Sequence, residues 1–152
     1  EWQFAVGAVL SLIHDVALTL GLFSLFQLEF NLSVIAALLT IVGYSLNDTV
    51  VVYDRIRENL RKYRRMDLNN LIDLSLNETL SRTIMTGITT LLALIALYVF
   101  GGEVISAFTL AMIWGVLIGP YSTVFIAAPV LPWFNLKRDF SEEATPAAAE
   151  RP

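Results

Sequence analysis

The sequence predicts an all-α membrane protein, with four transmembrane helices as two antiparallel hairpins and a short cytoplasmic amphipathic helix between them. Three observations predict it. The chain is 56% hydrophobic and only 16% charged, with a mean hydropathy of +0.65. Its polar residues gather in a few blocks rather than spreading as they do over a soluble surface. Four apolar runs also reach the roughly 20 residues that a helix needs to cross about 30 Å of hydrocarbon.

Those runs are Phe4 to Leu28, Leu32 to Tyr53, Thr83 to Phe100 and Val104 to Phe134, giving one membrane domain over residues 4–134. Glu29, Phe30 and Asn31 join the first pair, and Gly101, Gly102 and Glu103 join the second; such short connections suit only adjacent antiparallel helices. Lys and Arg orient the spans. Arg55, Arg57, Arg61, Lys62, Arg64 and Arg65 fall in the central connection, and Lys137, Arg138 and Arg151 follow the last span, while the short turns carry none. By the positive-inside rule the centre and both ends of this chain are cytoplasmic. Trp133 falls where an interfacial belt is expected, whereas Trp114 lies well inside its span. Pro129 and Pro132 are expected to end or bend the long fourth run.

The central connection holds its own pattern. From Asp67, Leu68, Leu71, Ile72, Leu76, Thr79 and Leu80 recur at helical spacing opposite Asn69, Asn70, Asp73 and Asn77, which predicts an amphipathic helix over 67–81 at the inner surface. The tail at 139–152 has neither periodicity nor enough apolar residues for a core and is expected to be disordered. The chain opens on Glu1 with no basic leader or small-residue cleavage site, and reads as a piece of a larger protein.

Composition excludes several chemistries. With no Cys there is no disulfide framework and no thiolate nucleophile, and a single His rules out a His-rich metal site. No GxxxxGKS-type phosphate loop occurs, so neither nucleotide nor any other cofactor is expected. The net charge of −4 owes much to Asp139, Glu142, Glu143 and Glu150 in the tail. The basic block of the connection resembles a nucleic-acid patch, yet orientation alone explains it, and no nucleic-acid partner is expected.

Ionisable residues inside the spans are the candidate functional groups, because each costs several kcal/mol in lipid without a partner or a purpose. Asp48 lies less than two turns before Asp54, roughly 9 Å inside the boundary at about 1.5 Å per residue. Arg82 opens the third span at similar depth on the same side, so the two can meet. Burial favours the neutral acid and a guanidinium favours the carboxylate, so small rearrangements can switch the group, as a proton carrier requires. A buried ion pair that only fixes helix register is the alternative. Thr40, Gly43, Asn47 and Thr49 beside Asp48, and Thr86 with Thr89 and Thr90 beyond Arg82, form small, weakly polar faces suited to a helix seam. Asp15, near the middle of the first span with Ala8, Ser11 and Thr19 on its face, is either a second proton site or an acid held by neighbouring hydroxyls. His14 beside it is more simply structural. Gly115, Gly119, Pro120, Ser122 and Thr123 suggest close packing or a kink in the fourth span.

The stretch "VIAALLTIVGYSLNDTVVVYDRIRENLRK", with "LIHDVALTLGLFSL" before it and "LNETLSRTIMTGITTLLALIALYVFGG" and "IGPYSTVFIAAPVL" after it, resembles the SecF subunits of bacterial SecDF protein-export complexes, in the resistance-nodulation-division superfamily. The resemblance runs from Phe4 to Phe134. It implies a non-enzymatic, proton-driven transport subunit in the bacterial inner membrane, working with SecD, the SecY-SecE-SecG channel and YajC on exported unfolded polypeptide. It maps a proton-pathway Asp onto Asp48 and an Arg onto Arg82. Gly87 and Pro120 depart from the pattern, which more often has Ser and Thr there. A drug or lipid exporter of the same superfamily remains an alternative. So do an intramembrane aspartyl protease using Asp15 and Asp48, and a passive scaffold.

Overall fold

In a computed structural model, residues 2–134 are described, and they are helical almost throughout; the tail predicted to be disordered lies outside them. The order is α1 (Trp2–Leu25), α2 (Leu32–Lys62), α3 (Leu68–Phe100), α4 (Glu103–Ser122), a π-helical turn (Thr123–Ala127) and α5 (Ala128–Trp133). Four helical stretches, Trp2–Leu25, Leu32–Lys62, Leu68–Phe100 and Glu103–Trp133, are long and apolar enough to cross a membrane.

Local chemistry sets the boundaries. α1 closes on Gln27, whose φ of 51° lets Leu28 N–H reach back to Phe23 C=O at 3.0 Å, a left-handed helix end made without glycine. Asn31 caps α2 by accepting from Val34 N–H, and Asp67 caps α3 by accepting from Asn69 N–H. Arg61 and Lys62 sit in the last turn of α2, where cations favour the exposed carbonyls. Gly102 turns the chain into α4 at φ 79°.

One expectation is corrected. The amphipathic segment over 67–81 is not a separate helix but the beginning of the 33-residue α3. No Pro or Gly interrupts residues 68–86, so the hydrogen-bond ladder runs on from the polar stretch into the apolar one. Most of its predicted face is nonetheless packed, with Leu71, Ile72 and Thr79 buried and Leu68 and Leu76 half-buried, but Leu80 is exposed together with Asn69, Asn70, Asp73 and Asn77. The fourth run ends at Trp133, directly after Pro132, in keeping with the expectation for Pro129 and Pro132, and it also changes register earlier, at Thr123–Ala127. Pro120, Pro129 and Pro132 each remove a backbone donor, and the widened turn lies between the first two.

Along the bundle, two apolar clusters enclose a polar middle. One cluster joins Phe23, Val34, Ala37, Ile41, Leu94, Ala111, Met112 and Val116; the other joins Phe4, Val52, Tyr53, Ile56, Leu71, Ile72, Ala127, Ala128 and Leu131. Between them in sequence on α1, α2 and the fourth span come Ser11, Asp15, Thr19, Ser45, Thr49, Ser122 and Thr123, none more than 1% exposed. The outer surface is apolar, with Leu39 70%, Leu92 64% and Val99 64% exposed. Where the surrounding medium is hydrocarbon, polar groups gain by turning inward to one another. Gly115 allows α4 to lie directly on Ile41 of α2, and Gly7 makes room for the Tyr53 hydroxyl.

Candidate functional site

Asp15 is the centre of the polar middle. Ser45 of α2 donates to its Oδ2 at 2.6 Å and Ser122 of α4 donates to the same atom at 2.9 Å, while His14 Nδ1 lies 3.2 Å from Oδ1. One carboxyl group thus joins three helices. The expected neighbours on its own helix turn elsewhere: Thr19 donates to the Asp15 main-chain oxygen and Ser11 to that of Ala8. His14 does reach Asp15, with its ring stacked on Tyr121 at 6.3 Å.

From this point the seam between α2 and the fourth span continues in steps of one turn. Thr49 and Thr123 share a 3.0 Å hydroxyl hydrogen bond, and the Tyr53 hydroxyl donates to Ala127 C=O at 2.8 Å. Ser45, Thr49 and Tyr53 are spaced by four, so a single stripe of α2 carries all three contacts.

Asp48 lies on a neighbouring stripe, aimed at α3. Thr83 donates to its Oδ1 at 2.7 Å; its Oδ2 is buried and has no hydrogen-bond partner among the described residues. Beside it is a cavity of about 210 Å³, walled by Thr79, Thr83, Gly87, Pro120 and Thr123 with aliphatic side chains around them. A methyl group added at Gly87 would meet nothing within 4 Å, so the missing side chain there leaves open space.

Arg82 is brought near Asp48 without pairing to it. Its side chain is exposed, and among the described residues no ion pair joins the two; Arg82 instead lines an outward cleft with Asp54, Arg55, Glu58, Glu78 and Thr79. Thr79 borders both that cleft and the Asp48 cavity. Of the predicted polar seam, only Thr49 is buried. Thr40, Gly43, Asn47 and Thr86 face outward, and Thr40 and Thr86 donate to carbonyls of their own helices. Asp15 does not line the Asp48 cavity, so the two acids do not share one site.

Sequence reasoning missed Ser45 and Thr83, and it assigned Ser122 and Thr123 to close packing or a kink. The signal for Ser45 was present in the four-residue spacing of Ala37, Ile41, Ser45 and Thr49, all of which are buried. Thr83 sits directly after Arg82, whose charge drew the attention.

At the polar end of the bundle, Arg55 ties α2 to α3. Its Nε donates to Glu78 and its Nη1 to Glu58, each at 2.7 Å, while Asn59 donates to Glu78 at 2.8 Å and to Ser75 at 3.0 Å. Asn59 and Arg55, by donating to the Glu78 carboxylate, hold it below the usual carboxylate range. Arg57 lies over the Phe4 ring at 4.6 Å, a cation–π tie from α2 to α1. Among the described residues no three His, Cys, Asp or Glu side chains converge as metal ligands would.

Comparison with known proteins places this geometry in a family. The model for "Protein export membrane protein SecD/SecF, C-terminal" matches residues 1–137. The chain is 58% identical over 139 residues to the protein translocase subunit SecF of Rhodobacter capsulatus, covering 91% of this chain and 42% of that one. It is 55% identical over 143 residues to SecF of Rickettsia rickettsii, covering 94% and 46%. A crystal structure of SecDF in its super-membrane-facing form superposes with a TM-score of 0.84 at 48% identity, over 89% of this chain and 18% of that one. The chain therefore spans less than half the length of the SecF relatives it matches. On the match over residues 1–137, the chain belongs to the SecD/SecF C-terminal family of protein export membrane proteins.

Proposed function

We propose that this chain is membrane machinery of a SecF-type translocase subunit, which uses inward proton movement through Asp48 to drive preprotein translocation across the bacterial inner membrane. The observation that carries the reading is the Asp48 carboxyl group itself. One oxygen is held by Thr83 and the other is buried, without a partner among the described residues, beside a cavity, inside a helix long and apolar enough to span a membrane. A group so placed can take up and release a proton without first breaking an ion pair.

In this reading Arg82 closes on Asp48 in another state of the cycle, and protonation of the acid releases it. The two pairs of spans, α1 with α2 and α3 with α4, then shift against each other as hairpins whose basic end is cytoplasmic. A membrane potential of about 150 to 200 mV supplies roughly 3.5 to 4.6 kcal/mol per proton, enough to shift a two-state equilibrium several hundredfold or more. The role is transport rather than catalysis, and it needs no cofactor. SecD is the partner assigned to the outward face that carries Thr40, Gly43, Asn47, Arg82 and Thr86. Small and polar residues exposed at these depths suit a protein neighbour better than lipid. The SecY-SecE-SecG channel, YajC and the exported polypeptide complete the assembly.

The test is proton flux and in-vitro translocation by the intact complex carrying Asp48→Asn. Loss of both is expected, and unchanged values for both would remove the reading. Photo-crosslinks to nascent secretory chains separate this function from small-molecule export.

A further inference from the structure

Ser122 and Thr123 are adjacent in sequence, fully buried, and committed to different places. Ser122 donates to Asp15 Oδ2 at 2.9 Å, while Thr123 bonds Thr49 at 3.0 Å and forms part of the Asp48 cavity wall. Consecutive helical residues diverge by about 100°, which lets one piece of backbone face both. On α2 the residues that meet them, Ser45 through the shared Asp15 Oδ2 and Thr49 directly, are one turn apart. The Asp15 oxygen shared by Ser45 and Ser122, and the Thr49–Thr123 hydroxyl pair, are therefore successive rungs of a single seam, with the cavity of Asp48 beside the second.

Each hydroxyl carries one proton, and this makes the second rung a two-state element. Either oxygen of the Thr49–Thr123 pair can donate. If Thr49 donates, Thr123 has its O–H left for the cavity; if Thr123 donates, it offers the cavity a lone pair. The cavity, at about 210 Å³ and open on one side between exposed aliphatic side chains, has more than the roughly 10–15 Å³ that one water needs, with Asp48 and Thr123 as its polar partners. Water between Thr123 and the unpartnered Asp48 Oδ2 would transmit the choice to the carboxyl group. The backbone adds a second freedom. In the π turn the Ala128 N–H bonds Thr123 C=O, one residue beyond the α-helical partner, so slippage of that bond moves Ser122 and Thr123 together.

We propose that Ser122 and Thr123 are positioning residues that couple the Asp15 cluster to Asp48, so that the hydrogen bonds made at Asp15 set how the Asp48 carboxyl group is solvated. The proposal rests on the reading of Asp48 as the proton-carrying group. Arg82 of α3, turned to the outer cleft, is the charged group near enough to act on Asp48; the fourth span turns Thr123 and apolar residues to it. Facing Asp15 are His14 on its own helix, with Tyr121 of α4 stacked on that ring, and the hydroxyls of Ser45 and Ser122.

The experiment is an isotope-edited infrared titration of the Asp48 carboxyl band in the full-length protein, assembled in its complex in liposomes. The band is assigned by its loss in Asp48→Asn. Thr123→Val, which keeps the shape and deletes the hydroxyl, and Ser122→Ala should each displace the midpoint by about half a pH unit or more, a roughly threefold change in proton affinity. Thr123→Ser should restore the wild-type midpoint. Ser106→Ala, which removes a hydroxyl bonded to Glu103 C=O of its own helix, should leave it unchanged. If Thr123→Val does not assemble, Thr49→Val breaks the same pair from α2 and is read in its place. A wild-type midpoint in the Thr123, Ser122 and Asp15→Asn variants alike would overturn the coupling while leaving Asp48 a proton carrier. An Asp48 band that never titrates in the wild-type complex would instead overturn the underlying reading, and the coupling with it.

Discussion

Asp15 and Ser45 are 30 residues apart in the chain and joined by a 2.6 Å hydrogen bond across the contact of α1 with α2. Ser122 adds a second donor to the same oxygen, so this carboxyl group binds three helices where an apolar side chain would bind none. Asp15→Ala strands the buried Ser45 hydroxyl, at a cost of about 1–3 kcal/mol when left unpaired, whereas Ser122 can turn to Gly119 C=O at 2.9 Å. Asp15→Asn keeps an acceptor in place. Thermal unfolding in detergent should show a large loss for Asp15→Ala and a clearly smaller one for Asp15→Asn; equal losses would mean that the Ser45 hydroxyl does not depend on Asp15.

Thr83 is the one hydrogen-bond donor to Asp48 among the described residues. A hydrogen bond to a charged group contributes about 1.5–3 kcal/mol, enough to change the protonation equilibrium of the acid tenfold or more. Thr83→Val should therefore cut proton flux through the assembled complex several-fold, while Thr83→Ser, which retains the donor, should stay near wild type. Flux that follows side-chain volume rather than the hydroxyl would assign Thr83 to packing.

Much of this was legible in the sequence, and what was missed has a physical pattern. Apolar length and the basic block identify the helices long enough to span, and Asp15 and Asp48 stand out because an acid in an apolar run is costly. Ser45 and Thr83 do not stand out, since hydroxyls can satisfy themselves on their own helix, as Thr40, Thr86 and Thr89 do here. Only the packing reveals which hydroxyls turn inward. The continuity of α3 was hidden for another reason: the residue pattern changes at the end of the amphipathic stretch, but polarity does not break a backbone ladder, and no breaker stands there.

Arg82 faces the cleft with Asp54, Glu58 and Glu78 rather than Asp48. If it engages Asp48 in another state, its planar two-pronged geometry matters as well as its charge. Arg82→Gln should lower proton flux at least tenfold, and Arg82→Lys should recover only part of it. Flux left intact in Arg82→Gln would remove this residue from the proton route and leave it a surface charge of the cleft.

Close packing of α4 on α2 depends on Gly115, because a methyl group there would collide with the Ile41 side chain. Overpacking of this kind costs about 1–3 kcal/mol. Gly115→Ala should lower the unfolding temperature, and adding Ile41→Val or Ile41→Ala should recover part of the loss by vacating the space. Additive losses in the double variants would show that the two residues are not in contact in the folded protein.

The junction of α2 and α3 supplies the pH dependence whose sign follows from Glu78. Its carboxylate is held below its ordinary range by donors from Asn59 and Arg55, so in the folded state it binds a proton less readily than in the unfolded chain. The contribution is therefore fully present above the ordinary Glu value of about 4.3, and it is lost as pH falls through the lower folded value. Hydrogen exchange at residues 55–62 and 68–78 should accelerate selectively as pH drops below about 4.3, after correction for intrinsic rates. Glu78→Gln should show the faster exchange already at neutral pH and lose the acid dependence. Protection that is flat with pH in the unaltered protein would mean that the Arg55–Glu78–Asn59 contacts do not hold the two helices together.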